Sequence, residues 1–260
     1  MSDITSTLAA SRENVARARR KFEQLKSSID RYSNSGAYSI RTQYNDGMIH
    51  LIASRDKEPD IDIAFDTVEI VQRIRVSLDK AVSYLVEHNG RGSSGVGFPF
   101  GGIDGNTGKP LPFPDERMMG KHGLSKKLTP EQWDFICAQR PYPGGNDTLW
   151  AINEIANVDK HRKDLVALIP KLDYGMNTVG FVDYLVMRPA HVDHLLSDKE
   201  RETVLCTMGP RAAQTYIEHS FHIDLVFGEG VSVKGRSVLS TLNEQIRQVT
   251  QVLSGMRQLF

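Results

Sequence analysis

An α+β fold is predicted for this sequence of 260 residues, and three features predict it. Long stretches near both ends repeat apolar residues at helical spacing. Short stretches of alternating polarity lie between them. These strand-like stretches do not alternate one for one with helices, as the crossovers of a parallel sheet require. The expectation is a single α+β domain over residues 1–260. Two central helices pack on each other, long terminal helices lie beside them, and an antiparallel sheet completes the fold.

Hydrophobic residues make up 40% and charged residues 25%, enough apolar material for a full core without a metal or disulfide staple. Lys+Arg and Asp+Glu both number 32, which excludes a global basic field for nucleic acid and leaves only local patches. The two cysteines, Cys137 and Cys206, lie far apart among apolar neighbours; buried free thiols in a reducing, cytoplasmic setting are expected. The opening MSDITSTLAASRENVARARRK has no apolar core before its charges, unlike a signal peptide. No apolar run approaches the roughly 18–20 residues of a membrane span, so no membrane contact is expected.

The first helix is expected over residues 3 to about 31, where Val15, Phe22, Leu25 and Ile29 recur at three, four and seven. AYSIRTQY and MIHLIAS then alternate as strands around Asn45-Asp46-Gly47, a tight hairpin turn. A second helix is expected from near Phe65, with Val71, Ile74, Leu78, Ala81 and Leu85 as its seam and His88-Asn89-Gly90 as its stop. Residues 90–128 are rich in Gly and Pro and have no period; a loop that long inside a domain points to function. Thr129-Pro130 opens a short helix to about Gln139, and RPYPGGND turns the chain. Asn146 or Asp147 caps the next helix, expected to run through Trp150 to about Ile169 and to stop at Pro170. TVGFVDYLVM, ETVLCTM and AQTYIEHSFHIDLVF are strand candidates, and a last helix is expected from about Val238 to Leu259.

The stretch NEIANVDKHRKD, Asn153–Asp164, carries the candidate chemistry. On a helix, residues 151, 155, 158, 162, 165 and 169 form one stripe that is apolar except for Arg162. Asn153, Asn157, His161 and Asp164 form a polar stripe beside it. A buried guanidinium needs a carboxylate, since an unpaired one costs several kcal/mol. Asp159, three residues back, and Asp79 on the facing helix are the candidates, and Asp79 lies four after Arg75, an ion-pair spacing. Two readings stand. In one, Arg75, Asp79, Asp159 and Arg162 are a structural network between two helices. In the other, Asp79, His161 and Arg162 line a catalytic pocket under the Gly-rich loop. There His161 is acid/base because its pKa lies near neutrality. Arg162 steadies an anion, and Arg75, Asn157 and Asp159 help to bind phosphate or ligand.

Other signals carry less. GRGSSG, Gly90–Gly95, matches Gly-x-Gly-x-x-Gly but follows a helix and precedes Phe98-Pro99, the wrong context for a dinucleotide loop. RENVARARRK places Arg12, Arg17, Arg19, Arg20 and Lys21 on an exposed helix with Glu13 and Glu23 interspersed, a solvated face. HVDH, His191–His194, lacks a third ligand. Along IEHSFHIDLVF, Glu218, His222 and Asp224 alternate with apolar residues, as on a half-solvated strand. Neither a P-loop, a nucleophile elbow, a zinc quartet nor a kinase signature is present, so no metal and no cofactor is expected.

RIRVSLDKAVSYL, FPF, RPY and LWAINEIANVDKHR together resemble a recurring, uncharacterised family of bacterial and phage proteins over roughly residues 65–170. Its helix motif, Asn-x-Asp-Lys-His-Arg, matches at Asn157, Asp159, Lys160, His161 and Arg162. Its other helix carries Arg-Ser-Ser-Leu-Asp-His; here Lys80 follows Asp79, which removes one histidine of a two-helix metal pair. The chain also resembles HEPN-type helical ribonucleases and RNA-binding domains in pairing two helices with an Arg- and His-bearing segment, although here His161 directly precedes Arg162. The expectation is therefore a non-catalytic interaction or structural protein whose terminal helices bind a partner or a second copy. The alternative is a HEPN-like RNA-binding protein or a metal-independent ribonuclease using His161 and Arg162.

Overall fold

The computed structural model describes residues 4–120, 122–162, 168–179, 185–187, 202–209, 216–228 and 231–260. The α+β class holds. Helix α1 (Ile4–Ser33) leads into the hairpin β1 (Tyr38–Asn45) and β2 (Met48–Arg55), followed by α2 (Ile61–His88). After the long loop and its single turn of helix, α3 (Glu116–Met119), come α4 (Pro130–Ala138) and α5 (Asp147–Arg162). Strands β3 (Leu168–Val179), β4 (Leu185–Met187), β5 (Glu202–Met208) and β6 (Tyr216–Phe227) precede α6 (Val238–Met256).

The hub is α2, which packs against α1, α5 and α6. Its seam Val71, Ile74, Leu78, Ala81 and Leu85 is fully buried, as an apolar stripe with helical period requires. The inward residues of α1 (Leu8, Val15, Phe22, Leu25 and Ile29) and of α6 (Leu242, Ile246, Val249 and Leu253) join the same core. Both terminal helices thus use their apolar stripes inside the chain. Lys21 fastens α1 to α2 through Asp66 at 2.7 Å.

The hairpin turn follows its residues. Asp46 and Gly47 both take positive φ, 51° and 73°, the pattern of a two-residue type I′ turn. Strands β1, β2, β5 and β4 lie in that order in one antiparallel sheet, with a register shift at Leu51/Ile52. Strands β3 and β6 form a separate two-stranded ribbon. The end of that ribbon, Leu225–Phe227, is buried and turns into α6 through Gly235 N–H on Phe227 O at 2.7 Å.

Three boundaries differ from expectation. Helix α2 starts at Ile61 rather than near Phe65, because Asp60 caps it by accepting the Asp62 N–H at 3.0 Å. Ile61 and Phe65 are themselves exposed, so the apolar seam begins after the helix does. The described part of α5 ends at Arg162, and Leu168-Ile169-Pro170 opens β3 instead of ending a helix. Leu168 and Ile169 suit a buried strand as well as a helix. Pro170, opposite Leu225, sits in a strand with a single neighbour among the described residues, where a missing N–H is tolerated. The stretch TVGFVDYLVM divides between the end of β3 and β4, with residues 180–184 outside the described residues.

Candidate functional site

Helix α2 sets Arg75 and Asp79 one turn apart. The Arg75 Nε lies 4.0 Å from Asp79 Oδ2, a loose pair. Asp79 makes its closer bond to the loop, where its Oδ1 accepts the Phe98 N–H at 2.8 Å. One turn on, the Ser83 hydroxyl donates to Val96 O at 3.1 Å. The Gly-rich loop is thus pinned to α2 at Val96 and Phe98. Gly97 between them leaves room for this carboxylate: a Cβ there would stand 2.8 Å from Asp79 Oδ1 and make it shift.

Arg75 reaches the other central helix. Its Nη1 donates to Asn157 Oδ1 on α5 at 2.8 Å, and the Asn157 amide donates to Asn153 Oδ1 at 3.2 Å. The guanidinium also stands 5.8 Å from the centre of the Phe100 ring, within cation–π range. The result joins α2, α5 and the loop through Arg75, Asp79, Asn157 and the FPF segment. Asp159, His161 and Arg162 belong to the last turn of α5, and their side chains lie outside the described residues. The HVDH stretch lies outside them too, as do the side chains of Glu218 and His222 on β6.

Glu154, on the same helix, is half-buried and accepts the Ser232 N–H at 2.9 Å. Burial pushes its carboxyl up; Ser232 pulls against this and Asp147 adds to it. A carboxyl whose folded pKa exceeds the unfolded value favours its protonated form. Its stabilising contribution is present below the unfolded pKa and is lost as pH rises through the folded pKa. Glu154→Gln keeps an acceptor for Ser232 and removes the buried charge. It is expected to raise Tm at pH 7 and to match the parent near pH 4, which calorimetry at the two pH values checks.

Among the described residues no group of His, Cys, Asp and Glu could hold a metal ion, and no helix is long and apolar enough to cross a membrane. Cys206 is buried as expected, whereas Cys137 is only partly so. Burial raises the thiol pKa of both. No family model, curated protein or solved structure matches the chain.

The Arg75–Asp79 pairing was readable from spacing four on one helix. The Phe98 partner was not, because a loop N–H leaves no sequence signature. The usable signal was FPF itself, two aromatics in an otherwise aperiodic loop.

Proposed function

We propose that this chain is a cytoplasmic, non-catalytic interaction protein in which Arg75, Asp79 and Asn157 clamp the Gly-rich loop to the two central helices. One observation carries this reading: the Asp79 carboxylate is engaged by the backbone of the loop at Phe98. Asn157 is held in the same way by Arg75. Side chains engaged with one another fix packing, whereas a catalytic set converges on a space for substrate. The resemblance to HEPN domains would give His161 and Arg162 a ribonuclease role, and the same experiment addresses it.

The outward face of α1 supports a polar partner rather than an apolar one. Helix α1 turns Arg12, Arg17, Arg19, Arg20 and Lys26 outward, and of these Arg17 and Arg20 share Glu13 at 3.0 and 3.1 Å. A protein with an acidic surface is the complement of such a face.

The test is a melting series. Asp79→Ala leaves the Phe98 N–H without its acceptor. The side chain is 35% exposed, so water offsets part of the loss, which is expected to be about 1–2 kcal/mol, roughly 3–6 °C. Asp79→Asn keeps an oxygen for Phe98 and is expected to lose less than half as much. RNA cleavage that disappears in His161→Ala with an unchanged Tm would overturn the non-catalytic reading.

A further inference from the structure

Beyond the clamp lies a cavity of about 380 Å³ within the long loop, between its Gly-rich start and the segment bearing α3. Its lining differs in kind from the Arg75–Asp79 network, none of whose side chains line it. One wall is backbone. Ser93–Val96 is a tight turn closed by Val96 N–H on Ser93 O at 3.0 Å, with Gly95 at φ 69°. A residue with a Cβ rarely holds that conformation. The Phe98 N–H is taken by Asp79. The N–H groups of Ser94, Gly95 and Gly97, all at the cavity, have no acceptor among the described residues.

The other wall carries the cations Arg117 and Lys127 and the imidazole of His122. The Lys127 ammonium donates to Gly92 O at 2.9 Å, which fixes it next to the turn and leaves two of its three donors for a ligand. Asp115 also lines the space, but both its oxygens are engaged. Oδ1 accepts the Met118 N–H at 2.9 Å, and Oδ2 takes Arg117 Nε at 2.9 Å and Nη2. Arg117 cancels that carboxylate and keeps its Nη1 unused by it, so Lys127 carries the uncancelled charge of this wall, beside the His122 imidazole.

Backbone N–H groups at one wall and the Lys127 ammonium at the other suit a group with acceptors in several directions, which describes a phosphate better than a planar carboxylate. The volume exceeds what a phosphate alone fills. Val96, Met118 and Leu124 supply apolar surface for an organic group. We propose that this cavity binds a small phosphomonoester, its phosphate held between the Ser94–Gly97 backbone and Lys127, and its organic part against Met118 and Leu124. This goes beyond the clamp and stands on the cavity alone, so its failure would leave the Asp79 melting series untouched.

The test is titration calorimetry of the full chain at low salt with ribose 5-phosphate, ribose and inorganic phosphate as probes. Binding of ribose 5-phosphate is expected, weaker binding of inorganic phosphate, and none of ribose. Lys127→Gln is expected to weaken ribose 5-phosphate binding at least tenfold. His122→Gln, at an exposed position, is a second variant that should fold if the first does not, with a smaller loss expected. The proposal is overturned if ribose 5-phosphate gives no heat at millimolar concentration, if inorganic phosphate binds as tightly as the ester, or if both folded variants bind like the parent.

Discussion

Leu78→Ala is expected to lower Tm by roughly 5–15 °C. Leu78 is fully buried at the middle of α2, where α1, α5 and α6 meet one helix. Truncation there removes apolar contacts and leaves a cavity that neighbours on several elements cannot all move to fill. Leu→Ala at such sites costs about 2–5 kcal/mol, a large part of a total stability of about 5–15 kcal/mol. Val76, two residues earlier on the same helix, is 41% exposed, and Val76→Ala is expected within about 0.5 kcal/mol of the parent. Calorimetry of the two variants measures the contrast. Similar melting points would mean that α2 does not occupy the centre of the core.

The neighbour of Leu78 faces the loop. Asp79 turns to the Phe98 backbone while Leu78 turns inward, so consecutive residues separate fold from site. The sequence showed the first clearly, because a buried stripe repeats along a helix. It showed the second only in part. Arg75 and Asp79 share a helix and declare themselves by spacing. Asn157 joins them from α5 across the core, and such a meeting follows from packing rather than from local pattern. The partners Phe98 and Val96 are bound through backbone atoms, which any residue supplies.

The elements divide in the same way. Local chemistry fixed the stops and starts that were read correctly. Gly90 takes φ 68° at the end of α2. Thr129 and Gln132 form a capping box ahead of α4. Asn146 Oδ1 accepts the Leu149 N–H at 3.1 Å at the start of α5. The helix expected through Ile169 failed where local chemistry was ambiguous. Leu168 and Ile169 pair with Phe227 and Val226 of β6, and a partner nearly 60 residues away cannot be read from a short apolar run. The motif residues Asp159, His161 and Arg162 lie at the end of the described part of α5.

Gly101→Ala is expected to cost about 3 kcal/mol, near the upper end for an overpacked site, and to lower Tm by roughly 6–12 °C. The backbone at Gly101 does not have positive φ, so the penalty is one of space. A Cβ there would lie 2.4 Å from Tyr142 Cβ and 3.1 Å from Tyr142 Cα, atoms next to the main chain that cannot swing aside. Gly101 is also where the long loop is tied to the turn before α5. Its N–H donates to Pro141 O at 2.8 Å, and its carbonyl accepts the Trp150 indole N–H at 3.2 Å. The turn cannot yield easily, since Arg140 already holds φ 51° and its carbonyl accepts the Asn146 N–H at 2.6 Å. The loop must therefore move, and Trp150, buried beneath it, reports the movement as a red-shifted emission. Gly105→Ala is the control: a Cβ there meets nothing within 4 Å, and Tm and emission should match the parent. If Gly101→Ala behaved like Gly105→Ala, the loop would not be seated on the 140–146 turn, and the cavity walled by its Gly-rich start would lose its fixed shape.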